Sequence, residues 1–110
     1  MATIDVNELL GDMLGAAQGV FSARWPEVRA FARMESKSFL ENMAEIERMK
    51  VSGEITREQA ELLTRMHKRS MEAVFTSLEG ISLALAEQAV NAALAVVRTT
   101  VNNAIGWALL

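Results

Sequence analysis

The chain has no cysteine, one proline and only three charged side chains in its last thirty-eight residues (Glu79, Glu87, Arg98). Without cysteine there is no disulfide framework and no thiolate chemistry, which fits a reducing compartment without requiring one. One proline and six glycines in 110 residues, with 51% hydrophobic content, exclude a disordered chain and point to one ordered, helix-rich domain spanning residues 1–110. A basic surplus is also missing. The formal charge is −3 and the basic residues are interleaved with acids, so no nucleic-acid partner is expected. The start, MATIDVNELL, carries two acids where a signal peptide would be basic, so no secretory signal is read there, and a cytoplasmic or assembly-associated location is expected.

An uninterrupted apolar run is lacking too. A spanning helix needs about 20 mostly apolar residues. Every such window in the greasy C-terminal stretch contains several of Glu87, Gln88, Asn91, Arg98, Asn102 and Asn103, which excludes a simple membrane anchor. An amphipathic helix lying on a bilayer, or a subunit inserted only as an oligomer, remains compatible with the pattern, so membrane contact is open but not favoured.

What is present is helix periodicity with an uneven distribution of charge. Sixteen of the twenty-five charged side chains lie between Arg33 and Glu72, around a break at residues 51–55. Arg48 and Lys50 suit the last turn of a helix, Gly53 suits the residue that ends it, and Thr56 with Gln59 forms a capping box that starts the next. Upstream, Asp5 is placed as an N-cap with Glu8 three residues on. Pro26 kinks the first arm, or the helix ends near Ser22 and restarts with Pro26 in its first turn. In both versions the chain keeps its direction. The expected fold is therefore all-α: a long antiparallel hairpin with arm one at 5–50, a turn at 51–55 and arm two at 56–110, the second arm a single helix of about 80 Å.

Arm two carries two apolar series. Leu63, Val74, Leu78, Ile81, Leu85, Ala89, Ala92, Val96 and Trp107 form one seam, and Leu83, Ala86, Val90, Leu94, Val97, Val101, Ile105 and Ala108 a second, displaced around the helix. One partner helix cannot cover both, so the hairpin is expected to oligomerise into a helix bundle. On arm one, Gly11, Gly15 and Gly19 repeat every fourth residue, a pattern that lets another backbone approach closely. The expected packing interface is thus Gly11, Gly15, Gly19, Ala89, Ala92, Leu94, Val97, Val101 and Ile105.

Chemistry-bearing residues are few. His67 is the only histidine, and the hairpin register places it near Phe39, about one turn from Glu35. The Glu-x-x-His spacing of carboxylate-bridged di-iron bundles is absent, because Thr64 precedes His67 by three, so no metal is assigned. Ser38 and Ser70 are the hydroxyls nearest the histidine, yet no cleft, phosphate loop or nucleophile–base pattern accompanies them. No catalytic residue or cofactor is assigned and the chain is not expected to be an enzyme. Met34, Met43, Met49, Met66 and Met71 cluster toward the turn as helical gap-fillers or as an adaptable contact surface. The functional expectation is a structural or assembly subunit, a homo-oligomer within a larger protein assembly such as a virion or secretion apparatus. Its competitors are a membrane-active helix bundle and an adaptor or chaperone-like module with a Met-rich tip.

Overall fold

The computed structural model describes residues 3–110 as four α-helices and one short 3-10 turn: α1 (Val6–Phe21), the 3-10 turn (Ser22–Arg24), α2 (Trp25–Val51), α3 (Arg57–Thr76) and α4 (Leu83–Ile105). No strand occurs among the described residues. Each α-helix except α2 begins at a side-chain cap. Asp5 accepts from the Glu8 amide, Thr56 and Gln59 exchange both bonds of a capping box, and Ser82 accepts from the Leu85 amide. Helix α2 begins instead with Pro26 in its first turn, where the missing N–H would have had no partner.

The turn between α2 and α3 falls where the sequence placed it. Met43 meets Thr64 and Asn42 meets His67 across the hairpin, close to the register set by a turn at Gly53. Two departures change the architecture. The first arm does not keep its direction: α2 alone is about 40 Å long at 1.5 Å per residue, yet the molecule measures 43 × 24 × 18 Å. Helix α1 therefore folds back beside α2. The reversal sits at Ser22, whose φ of 50° and ψ of −116° are the first-position geometry of a type II′ turn, normally occupied by glycine.

The second arm is not one helix either. It breaks at residues 77–82, where Gly80 takes a φ of +80° and Ser82 starts α4. Arg24 explains why the break is tight: its guanidinium donates to the carbonyls of Glu79 at 2.6 Å and Gly80 at 3.3 Å, so a side chain on Gly80 would collide with it. At the other end of the bundle Lys50 donates to the Ile105 carbonyl at 2.6 Å and lies 4.7 Å from the centre of the Trp107 ring. Two cations thus tie the connections together, one at each end.

The core is one apolar cluster to which all four helices contribute. Helix α1 packs on α4 and α2, and α3 on α2 and α4. Leu10, Met13, Ala17 and Phe21 of α1 are buried together with Val28, Phe39, Leu40, Met43 and Ile46 of α2. Phe21 and Phe75 meet edge to face with ring centres 5.2 Å apart. Helix α4 contributes Ala86, Val90, Leu94, Val97, Val101 and Ile105, so most of its second apolar series lies in the core, while Leu83 and Ala108 at the two ends of that series are exposed. Of the first series Ile81 and Ala89 are buried as well, Leu63, Val74, Leu78, Leu85, Ala92 and Trp107 are half-buried and Val96 is exposed. At about 1.5–3 kcal/mol for each fully buried Val, Leu or Ile, the face of α4 is a principal source of stability, and the chain covers it by itself.

Candidate functional site

The residues expected to join subunits divide into two groups. Ala89, Leu94, Val97, Val101 and Ile105 lie inside the protomer, with Val97 and Val101 at 0% exposure, and Ala92 is half-buried beside them. They reach a second chain only if α1 or α3 moves away. Gly11, Gly15 and Gly19 do the opposite. They line the outer face of α1, all exposed, and a Cβ on any of them would meet nothing within 4 Å. The alanines of α4 are not their partners, because the face that α1 turns inward carries Leu9, Leu10, Met13, Ala17 and Phe21.

The polar residues near the hairpin do converge. Glu35, Ser38 and Asn42 of α2 and His67 and Ser70 of α3 surround one gap of about 20 Å³, room for a water molecule and no more. His67 Nδ1 lies 3.4 Å from the Asn42 amide nitrogen, so its recorded polar partner is Asn42 rather than Glu35. Loss of water pushes the His67 imidazole below its ordinary range and the Glu35 carboxyl above its own. Among the described residues no three or more His, Asp or Glu side chains gather as a metal site. A nucleophile–base pair in a gap of this size has no space for a substrate.

Two surfaces remain. At the turn end of the hairpin an apolar groove of about 330 Å³ is lined by Met49, Ile55, Leu62 and Leu63, with Glu54 and Gln59 at its edge. Leu62 and Met66, one helical turn apart on α3, are about half exposed, and Val51 is 70% exposed. The methionine cluster is thereby split: Met43 and Met71 fill the core, whereas Met34 and Met66 face solvent. The second surface is a cleft of about 230 Å³ between α3, α4 and the chain end at 106–110. Arg65 and Lys68 of α3 and Arg98 of α4 line it together with Leu94 and Leu109. The chain end is held in place by Asn102, whose carbonyl oxygen accepts from the amides of Leu109 and Leu110 at 3.0 Å each.

Sequence reasoning pointed to the tip only as the methionine-rich contact surface of a competing adaptor reading, through Met49 and Met66, and did not anticipate the cationic cleft. Of the three i,i+4 ion pairs that α3 offers, Arg57–Glu61 forms at 3.0 Å. Among the described residues Arg65 and Lys68 have no carboxylate within 4 Å, and Arg98 has none either. The signal lay in the polar residues Asn91, Arg98 and Asn102 of α4, of which Asn91 and Arg98 line the cleft and Asn102 holds the chain end beside it. No helix among the described residues is long and apolar enough to cross a membrane. Compared with known proteins, the chain matches no family model, no curated protein and no solved structure.

Proposed function

We propose that the chain is a non-catalytic assembly protein that pairs with a second copy of itself through the turn end of the α2–α3 hairpin. The observation that carries this reading is the groove of Met49, Ile55, Leu62 and Leu63, continued onto solvent by Met66. Scattered exposed hydrophobic residues are ordinary, but a contiguous apolar patch on a small domain marks a contact surface. Its surroundings carry both signs, Glu54 and Glu58 beside Arg57 and Arg65. A two-fold arrangement sets the same patch against itself, so opposite charges on the two copies can face one another.

The assembly role expected from the sequence is thus retained and its surface moved, from the apolar terminal half to the hairpin tip. A larger helical assembly, of the virion or secretion-apparatus kind, would use the same tip as its joint. The test is mass by light scattering and sedimentation from micromolar to millimolar concentration. The wild type is expected to rise above the protomer mass, and Leu62→Glu with Met66→Glu to return it to that mass with helix content unchanged. A wild type that stays monomeric throughout, or a double variant with wild-type mass, overturns the reading.

A further inference from the structure

The cleft between α3, α4 and residues 106–110 combines two features that separately mean little. Exposed cations are usually just solvated, and a shallow apolar floor is usually just imperfect packing. Here they share one cavity. Arg65 and Lys68 stand one turn apart on α3, and Arg98 joins them from α4, thirty residues further along the chain. Leu94, which is almost fully buried, and Leu109 line the same cavity. We propose that this cleft binds a small anionic amphiphile, a phosphate or carboxylate head on a short hydrocarbon chain.

Three observations support the assignment. The cations are concentrated against the trend of the molecule, whose formal charge is −3. No carboxylate among the described residues lies within 4 Å of any of the three. Arg69 extends the positive surface into an adjoining groove of about 210 Å³ shared with Arg65 and Lys68, where Glu72 is the one acid lining it. Two guanidinium groups present forked donors that match the paired oxygens of a phosphate or carboxylate, and Lys68 adds a mobile point charge. Asn91 on the cleft wall supplies a neutral amide that can orient the head group.

Size selects the tail. A cavity of about 230 Å³ accepts a medium-length chain and is too small for a diacyl lipid. The charges alone would bind weakly, because water screens them at an open rim, and the leucines alone would bind any apolar molecule. Selectivity therefore requires head and tail together. The Asn102 clasp on the chain end keeps Leu109 and Leu110 in place as one wall, so the cavity exists without a ligand to shape it.

The experiment titrates octyl phosphate and octanoate, each below its micelle concentration, into isotope-labelled protein and follows amide shifts and calorimetric heat. Inorganic phosphate and octanol serve as head-only and tail-only controls. One-site binding of at least one amphiphile is expected, with shifts centred on Asn91, Arg98 and Leu109, and both controls at least about tenfold weaker. Arg65→Gln and Arg98→Gln are each expected to weaken binding at least about fivefold. Both side chains are exposed, so the fold should persist, and unchanged helix content verifies it. Arg33→Gln, on α2, should bind as wild type. The proposal is overturned if nothing saturates, if octanol or inorganic phosphate matches the amphiphile, or if both arginine variants bind as wild type. Whichever amphiphile binds more tightly names the head group.

Discussion

Replacing Gly11, Gly15 and Gly19 together by alanine is expected to stabilise the protein. None of the three has a positive φ, unlike Gly53, Gly80 and Gly106, so alanine adopts the existing backbone without strain. A Cβ at each position meets no atom within 4 Å, so no contact opposes the change. What remains is helix propensity, about 1 kcal/mol for glycine to alanine in an exposed helix interior, much of it from the reduced freedom of the unfolded chain. Gly19 lies two residues from the end of α1 and contributes less. The sum is about 2 to 2.5 kcal/mol. At about 4–8 °C per kcal/mol for a domain of this size, the melting temperature should rise roughly 10 °C or more. Circular dichroism melts and urea titrations measure both, with the midpoint moving and the urea slope unchanged. Light scattering on the same samples should find the same mass as for the wild type. A triple variant that is less stable, or whose mass falls, would mean that these glycines close against another backbone and that α1 does not present a free face.

Other expectations follow from single contacts. Ser22→Gly should stabilise by about 1 kcal/mol in chemical denaturation, because glycine relieves the positive φ at the reversal, although the Ser22 hydroxyl bond to the Gly19 carbonyl is lost. Asn102→Ala removes the acceptor for two amides and should speed hydrogen exchange at Leu109 and Leu110, with a stability loss of about 1 kcal/mol. The partly shielded gap between α2 and α3 gives two opposite pH effects. His67 titrates below its ordinary 6.5 when folded, so the unfolded chain takes the proton first and stability falls as pH drops through that value. His67→Gln should flatten this loss in pH-dependent melts between about pH 7 and 5. Glu35 titrates above its ordinary 4.5, so ionising it in place costs stability as pH rises. Glu35→Gln should be more stable than wild type near pH 7, with the advantage gone below about pH 4.

The α2–α3 turn was readable because every signal there is local: cations in the last turn, a glycine, then a reciprocal cap. The same logic found the Asp5 cap and the meeting of Glu35, Ser38 and His67. It failed at Ser22 because the reversal rests on a serine in a glycine conformation, which no sequence rule favours. Pro26 marks where α2 begins but says nothing about the direction from which the chain arrives. It failed again at Gly80, since one glycine inside a helical pattern costs only about 1 kcal/mol and is easily carried. The decisive partner, Arg24, lies more than fifty residues away. The cationic cleft was hidden for the same reason. Arg65 and Lys68 are one turn apart on α3, but Arg98 lies thirty residues further on, and its meeting with them is created by the break at 77–82 that folds α4 back along α3.

That break also changes the physics of assembly. The sequence argument held that α4 is apolar on more sides than one helix can shield, and the structure agrees, since α1, α2 and α3 all touch it. The extra neighbours come from within the chain. A 16-residue α1 folded back on a 3-10 turn supplies the second cover that the hairpin alone lacked. Burial inside the protomer removes the thermodynamic reason for α4 to seek another subunit, because area already withdrawn from water contributes nothing further on association. Any drive toward the proposed pairing must come from apolar side chains still in contact with water. At the hairpin tip those are Val51, Leu62 and Met66, three of the seven large apolar side chains exposed among the described residues, the others being Phe31, Met34, Leu83 and Val96.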